Sequence, residues 1–194
     1  MARSDAAEPA ATTANVRTRA DLETDRLILV ELGPNDADEM VAVLADADLY
    51  TFIGGRPPTV VELRRTYRRL ARGRSADGRS EWRNWILRGR LDRRAVGTIQ
   101  ATIGDQGQTA AIAWIIGMGW QGHGYATEAA RAVVAWLDAR GVRTIDAFVH
   151  PDHRASAAVA AHVGLRLTDE VIDGERVWRR TQPFRNPDSG LTAD

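Results

Sequence analysis

The chain has 194 residues, 44% of them apolar, which is enough to build the core of one domain of ordinary size. Its 26 basic and 26 acidic side chains cancel, so no bulk charge attracts it to nucleic acid or to an anionic membrane. It has no cysteine and all of its basic residues are arginine, which excludes disulfides, a thiolate nucleophile, cysteine-bound zinc, Schiff-base lysines and a P-loop lysine.

The two ends of the chain are predicted to lie outside the domain. Residues 1–22 are rich in Ala, Thr and Arg without periodicity, which predicts a disordered tail, and residues 183–194 are interpreted as a second tail. The N-terminal segment lacks the apolar core of a signal peptide, and no apolar run reaches the roughly 20 residues that span a bilayer. We therefore expect a cytoplasmic monomer or homodimer with its domain at residues 23–182, and neither membrane nor nucleic acid as a partner.

The first half of the domain predicts one strand followed by two helices. Each helix has a cap in its sequence, because Asn35 precedes the first helix and Thr59 with Glu62 forms the capping-box pattern at the second. In chain order, the predicted elements are a strand at 25–32, a helix through 36–46 and a helix from Val60 to about Arg72.

The second half changes to the patterns of strands. Residues 95–103 alternate between apolar and polar side chains, and residues 109–117 are nearly all apolar, which favours a central strand. A helix with regularly spaced apolar residues then begins near Tyr125 and ends near Gly141. In chain order, the elements are strands at 81–90, 95–103 and 109–117, this helix, a strand at 142–150, a helix at 155–164 and a hairpin at 165–180 with its turn at Asp173 and Gly174. The whole order, β-α-α-β-β-β-α-β-α-β-β, predicts a mixed α/β fold of the α+β type.

The turn before the long helix carries the clearest chemical signal. Gly119, Gly122 and Gly124 stand between the central apolar strand and the helix that begins near Tyr125. The first N–H groups of a helix have no acceptor within it and attract an anion, and glycine lets a ligand approach the main chain. A tight strand-to-helix connection would also use glycine, but the order of strand, glycine turn and periodic helix favours an anion site. A dinucleotide-binding fingerprint would need Gly or Ala at the position of Thr127.

Residues 121–126, Gln-Gly-His-Gly-Tyr-Ala, resemble the Q/R-x-x-G-x-G/A acetyl-CoA signature of the GNAT superfamily of N-acetyltransferases. The continuation Thr-Glu-Ala at 127–129 resembles its ribosomal-protein N-terminal branch, the RimJ/RimL-like enzymes. Ser156 and the Gly-Leu-Arg at 164–166 fit the next motif of the family, in which His153 stands where asparagine is usual. The resemblance implies the GNAT fold over residues 24 to about 181: a mostly antiparallel sheet of six to seven strands, splayed at the fourth and fifth strands, with about four helices.

The resemblance also implies a reaction, which is transfer of the acetyl group from acetyl-CoA, as co-substrate, to a primary amine by direct attack in a ternary complex. The amides of the glycine turn would hold the pyrophosphate, and the pantetheine arm would lie at the end of the preceding strand. A backbone N–H there, that of Ile116 or a neighbour, would polarise the thioester carbonyl and stabilise the oxyanion. The implied cofactor-binding residues are Ile116, Gly117, Met118, Gln121, Gly122, His123, Gly124, Tyr125, Ala126, Thr127, His153 and Ser156.

The residues that carry the two proton transfers of this reaction are open between alternatives. Many relatives use a tyrosine on the helix after the fifth strand to protonate the leaving thiolate; this helix has none, so Ser156 is the candidate, with a helix-capping role as its alternative. Relatives also keep a glutamate in the central strand that this chain lacks. His153, Glu31, Asp146 or a water chain are the candidates for the base. The predicted catalytic residues are therefore Ser156, His153 and Ile116.

The acceptor amine is open between a protein N-terminus and small molecules. Two other functions fit the sequence: transfer from a longer acyl-CoA, and CoA binding without catalysis, which the missing glutamate and His153 in place of asparagine motivate. No metal is predicted, because Pro151 holds His150, Asp152 and His153 in an extended geometry without a third ligand. Trp82, Asn84, Trp85 and Tyr50 are candidates for the acceptor cleft with core packing as the alternative, whereas Trp114 and Trp136 are predicted core residues.

Overall fold

A computed structural model describes residues 21–182, which form an eight-stranded sheet with four α-helices. The strands are β1 (Leu22–Glu23), β2 (Leu27–Glu31), β3 (Glu81–Gly89), β4 (Ala95–Gly104), β5 (Thr109–Ile116), β6 (Thr144–Val149), β7 (Arg166–Ile172) and β8 (Glu175–Thr181). The helices are α1 (Ala37–Val43), α2 (Val60–Leu70), α3 (Tyr125–Ala139) and α4 (Arg154–His162).

The sheet runs in the order β1-β2-β3-β4-β5-β6-β8-β7, and among the described strands β5 and β6 are the one parallel pair. The predicted mostly antiparallel architecture with four helices is therefore confirmed. The sheet has one strand more than predicted, because Leu22 and Glu23 pair with Leu29 and Ile28 as a two-residue edge strand. A two-residue strand is too short to show a periodic pattern, and its first residue was predicted to end the tail.

The two predicted helix caps have different outcomes. Thr59 and Glu62 form the capping box, with the Thr59 N–H donating to the Glu62 carboxylate at 2.8 Å and the Glu62 N–H donating to the Thr59 hydroxyl at 3.3 Å. The prediction for Asn35 is wrong, because this residue lies inside a 3-10 turn and α1 begins after Asp36. The Asp36 carboxylate accepts from the Gly33 N–H at 2.7 Å, so an acidic side chain stabilises this helix entry instead.

The helices bury the two faces of the sheet. On one face, α3 packs Val133 and Leu137 against the alternating apolar residues of β4, as its period-two pattern predicts. On the other face, Met40 of α1 and Tyr67 of α2 cover Ile86 of β3. Each fully buried aliphatic side chain contributes about 1.5–3 kcal/mol, so these two layers hold the sheet rigidly beneath the site.

The sheet opens between β5 and β6. The two strands pair from Thr109 to Ala111 of β5 and from Thr144 to Asp146 of β6, and the rest of β5 runs on without this neighbour. These strands are the fourth and fifth of the predicted order, so the predicted splay is confirmed. The gap ends where β5 passes through a 3-10 turn, Met118–Trp120, into the glycine turn and the start of α3.

Candidate active site

A cavity of about 530 Å³ lies at the open end of the gap, within the size range of small-molecule and cofactor sites. Its walls are the end of β5, the glycine turn, the first turn of α3, one face of α4 and the loop after α1. Gly117 and His123 lie outside this lining. The predicted cofactor-binding residues that line the cavity are Ile116, Met118, Gln121, Gly122, Gly124, Tyr125, Ala126, Thr127, His153 and Ser156.

The glycine turn points backbone donors into this cavity. Gly122 and Gly124 have φ of +77° and +79°, the left-handed conformation that side chains disfavour. Gly124 is the N-cap of α3, and among the described residues no side chain caps this helix start. The first N–H groups of a helix have no acceptor within it, so those of Tyr125, Ala126 and Thr127 face the cavity as donors at the positive end of the helix dipole.

Gly117 is a glycine for a different reason. A Cβ atom at this position would lie 2.9 Å from the carbonyl oxygen of Val43 and 2.9 Å from the Trp120 ring. Its φ of −57° suits any residue, so close approach of α1 rather than backbone conformation requires the missing side chain. Packing therefore explains Gly117, whereas open space beside Gly122 leaves room for a ligand.

An ion pair that no local sequence pattern predicts fixes the helix start from outside. The Glu128 carboxylate in the first turn of α3 accepts from the Thr24 hydroxyl at 2.6 Å and from the Arg26 guanidinium at 2.7 Å. Arg26 also donates to the carbonyl of His123 at 2.9 Å and lies over the ring of Tyr125. Burial alone would raise the pKa of Glu128, but the hydrogen bonds from Thr24 and Arg26 and the charge of Arg26 hold it below its usual value. We refer to Thr24, Arg26 and Glu128 as the clamp.

The amide of Ile116 faces the gap. The Gly117 N–H donates to the Val96 carbonyl at 2.9 Å, and bonded pairs alternate along an antiparallel ladder. Ile116, which lies opposite Gly97, is therefore in the non-bonded register, with its N–H and C=O directed away from β4. Its carbonyl accepts from the Gln121 side chain at 3.0 Å, in agreement with this orientation. The Ile116 N–H is thus directed away from β4, into the gap beside β5.

His153 and Ser156 lie together at the start of α4. His153 is the N-cap, and its Nδ1 accepts a long hydrogen bond, 3.5 Å, from the Ser156 N–H. The capping role considered for Ser156 is therefore wrong, and among residues 21–182 its hydroxyl has no hydrogen-bond partner. The ring of His153 stacks on Phe52 with centroids 4.6 Å apart. Burial, and secondarily the neighbouring His150, lower the pKa of His153, which favours the neutral form of the ring.

A second cavity, of about 210 Å³, meets the first one at this point. It lies over the face of the sheet formed by β4, β5 and β6 and reaches the first residue of β8. We call the first cavity the large cavity, the second the small cavity, and the residues that line both of them the junction. The junction consists of Phe52, Ile53, Trp114, His153 and Ser156. The other residues of the small cavity are Gln100, Thr102, Ala111, Ile112, Ala113, Phe148, Val149, His150 and Glu175.

A family model described as the acetyltransferase (GNAT) domain matches residues 26–166, well over half of the chain. The chain belongs to the GNAT acetyltransferase family. It is an acyl-CoA-dependent N-acetyltransferase, as the resemblance of the glycine turn predicted. A search of curated proteins finds no match to the chain.

Solved structures of other GNAT proteins share its fold. The GNAT-family acetyltransferase from Bacillus anthracis is 18% identical with a TM-score of 0.69, covering 84% of this chain and 98% of that chain. The ribosomal L7/L12 alpha-N-protein acetyltransferase RimL, in complex with coenzyme A, is 16% identical with a TM-score of 0.71 over the same shares. The microcin C7 self-immunity acetyltransferase MccE, in complex with acetyl-CoA and AMP, is 14% identical with a TM-score of 0.69, covering 82% of this chain and 94% of that one.

Two of the carboxylates considered as the base lie away from the junction of this GNAT domain. Asp146 is held by two hydrogen bonds from Arg179, at 2.7 and 2.8 Å, and lines neither cavity. Glu31 lies on the α3 side of the sheet, 3.8 Å from Arg83, and also lines neither cavity. His153 is the one of the three candidates that the structure brings to the junction.

The division of the tryptophans between the core and the cavities differs from the prediction. Trp85 is buried and meets Trp136 of α3 edge to face at 5.3 Å, so it is a core residue of the GNAT domain. Trp114 was predicted to be core, but it is half-buried and lines the junction, because the splay of β5 from β6 uncovers it. The candidates Trp82, Asn84 and Tyr50 line neither cavity, and the Tyr50 hydroxyl donates to the Leu44 carbonyl at 3.0 Å.

Two further properties concern residues 21–182 as a whole. They contain no helix long and apolar enough to cross a membrane. They also bring together no group of three or more His, Asp or Glu side chains that could hold a metal ion.

Proposed function

We propose that this GNAT protein transfers the acetyl group of acetyl-CoA to a primary amine by direct attack in a ternary complex. The cofactor lies in the large cavity and the amine enters through the small cavity. The observation that carries the proposal is that two cavities, one of which begins at an uncapped helix start, open onto the same five junction residues. A thioester and an amine that enter from opposite sides would meet there without displacing each other.

The pyrophosphate of the cofactor rests on the start of α3. The N–H groups of Tyr125, Ala126 and Thr127 supply charge-assisted hydrogen bonds, each contributing about 1.5–3 kcal/mol. The pantetheine arm follows the gap between β5 and β6, past Met118 to Ile116. That the RimL and MccE structures were solved with coenzyme A or acetyl-CoA supports this class of ligand for a chain of the same fold.

The reaction proceeds at the junction. The neutral amine attacks the thioester carbon, a C–N bond forms, and the Ile116 N–H stabilises the negative oxygen of the tetrahedral intermediate. The C–S bond then breaks, and the proton that the amine gives up passes through the Ser156 hydroxyl to the thiolate sulfur. Because Nδ1 of His153 accepts from the Ser156 N–H, the neutral ring keeps its proton on Nε2. This N–H replaces the donor that asparagine provides in the usual family motif.

The test is release of free CoA thiol from acetyl-CoA in the presence of a panel of primary amines, with the acetylated product identified by mass spectrometry. We expect acetylation of at least one amine and its loss in Ser156→Ala, with acetyl-CoA binding retained. Faster turnover of succinyl-CoA than of acetyl-CoA would support the longer-acyl alternative. Tight binding of acetyl-CoA with thiol release for none of the amines would support a non-catalytic CoA-binding module and contradict the proposal.

A further inference from the structure

From the small cavity we infer that the acceptor is an amine with an apolar body and a second, cationic group, and that Glu175 selects it by charge. This inference rests on the proposed function, because it assigns the small cavity to the acceptor. It names the class of acceptor, about which the glycine turn contains no information.

The walls of the small cavity are apolar at the junction end. Phe148 is 38% exposed and Ile53 is 47% exposed, although both are large apolar side chains. Both face the cavity beside Trp114 and the half-buried Phe52. Large apolar side chains left exposed inside a concave site are typical of surfaces that a ligand covers. The part of the acceptor next to its reacting amine is therefore apolar.

The lining of the small cavity carries one fixed charge. Among the described residues that line it, Glu175 is the one carboxylate, and neither Arg nor any other fixed cation joins it. The remaining polar lining consists of uncharged side chains and the two histidines, His150 and His153. A carboxylate on the acceptor would meet this charge without a compensating cation, whereas a cationic group would be paired by it.

Glu175 has no hydrogen-bond or ion-pair partner within residues 21–182. On the neighbouring strands, Asp146 of β6 and Glu170 of β7 are both bound by Arg179 of β8, whereas Asp169 of β7 is also unpaired but lines neither cavity. Glu175 stands at the first position of β8, opposite Ile172, where its side chain joins the cavity wall rather than an ion-pair network. An unpaired carboxylate in the wall of a cavity is available for a ligand.

Size limits the acceptor further. A cavity of about 210 Å³ accommodates a single amino-acid side chain or a small diamine rather than a large folded epitope. A straight apolar stem that ends in a cation, like the side chain of arginine, matches the apolar walls and the Glu175 carboxylate in one group. This chemistry is present both in free amines and in the first residue of a peptide.

The experiment compares three amides with one reactive α-amine each: argininamide, norleucinamide and glutamic acid α-amide. They share an apolar stem and differ in terminal charge. We expect kcat/KM to fall in this order, with at least about tenfold between the first and the last at low salt, and less at high salt because of screening. The tripeptide amides that begin with the same three residues distinguish a peptide N-terminus from a free amine as the source.

Two variants assign the effect to one side chain. Glu175→Gln should reduce the ratio between argininamide and glutamic acid α-amide to within about threefold. Asp169→Asn, on the neighbouring strand and outside both cavities, removes the same charge and should leave the ratio unchanged. Retention of the ratio in Glu175→Gln, or its equal loss in Asp169→Asn, would overturn the assignment to Glu175.

Different experimental results would overturn this inference and the proposed function. If glutamic acid α-amide reacts as fast as argininamide, charge selection is wrong although acetyl transfer stands. The three amides could all fail to react while other amines in the panel are acetylated. In that case, faster acetylation of panel amines that carry a carboxylate overturns the inference, and faster acetylation of panel amines that carry a second cation supports it. If no amine of any charge releases thiol, the proposed function itself fails.

Discussion

The two cavities present different kinds of groups to a ligand. The large cavity presents backbone N–H groups from one continuous segment, in which the glycine turn leads into α3. The small cavity presents side chains from six separate parts of the chain: the loop after α1, β4, β5, β6, the start of α4 and the start of β8. Because backbone donors are the same in every protein, the cofactor end requires glycines and a helix. The acceptor end requires particular side chains, so it can change without changing the fold.

Because the two cavities differ in this way, substitutions in different places should have different effects: some on catalysis or acetyl-CoA affinity, others on the choice of acceptor. A change in the glycine turn or the clamp should alter acetyl-CoA binding for every acceptor equally. A change at Glu175 should alter the ranking of acceptors and leave acetyl-CoA binding unchanged. The junction belongs to both cavities, so changes there should affect the chemical step.

The largest effect is expected in the large cavity, from Ile116→Pro. Proline has no N–H, so the variant loses the donor to the oxyanion, and the non-bonded register of Ile116 means that no ladder bond to β4 is lost with it. We expect kcat to fall about 10²- to 10³-fold. Ile116→Val keeps the N–H and should stay close to the original rate. Acetyl-CoA binding to both variants confirms that they are folded, and equal kcat values for the two would refute the role of this amide.

A smaller effect is expected at the cofactor end, from Glu128→Gln in the clamp. The substitution keeps the shape of the side chain but removes the charge that holds Arg26, which in turn holds the His123 carbonyl. The KM for acetyl-CoA should rise about tenfold, equivalent to about 1.4 kcal/mol, while the order of preference among acceptors is unchanged. Steady-state kinetics with two acceptors would measure this.

The matched control for the clamp is Glu62→Gln. Glu62 also lies in the first turn of a helix and pairs with an arginine, Arg56, but at α2, outside both cavities. It should change the KM for acetyl-CoA less than twofold. A similar rise in both variants would mean that the clamp acts through general stability and does not position the turn.

The smallest effect is expected on the pH dependence of stability, from a substitution of His153. Because burial lowers the pKa of this ring in the folded protein, the unfolded chain takes up the proton first as the pH falls below about 6.5. The stability that neutral His153 contributes is therefore present above that pH and is lost as the pH falls toward the lower pKa of the folded state. Urea unfolding at pH 7.5 and 5.5 should show a smaller loss in His153→Asn than in the original protein. An equal loss in the two proteins would contradict this role of His153.

The sequence predicted the parts of this structure that depend on local patterns. The alternation in β4, the capping box at Thr59 and the glycine turn each lie within about ten residues, so their periodicity or spacing is visible directly. The splay of β5 from β6 followed from the family resemblance and not from the residues themselves. Asn35 misled because it lies inside a 3-10 turn, which the Asp36 carboxylate closes by accepting from the Gly33 N–H.

The parts that were missed depend on tertiary contacts. Arg26 and Glu128 are 102 residues apart, and each alone is an ordinary surface charge. Trp114 has the pattern of a core residue, and the gap beside it exists only once β6 has diverged. Glu175 follows a hairpin turn, where a charged residue is unremarkable, and its place in the small cavity is set by the pairing of β8 with β6.

The central claim is that the start of α3 binds the pyrophosphate of acetyl-CoA. The most direct measurement is calorimetric titration of acetyl-CoA, and of S-acetylpantetheine, which lacks the pyrophosphate, into Gly122→Glu and Gly141→Glu. Both glycines have positive φ and open space around them, at opposite ends of the same helix, so backbone strain is matched. We predict that Gly122→Glu weakens acetyl-CoA binding at least about tenfold and S-acetylpantetheine binding less than twofold, and that Gly141→Glu changes neither. Equal losses for both ligands in Gly122→Glu, or no loss at all, would contradict the claim.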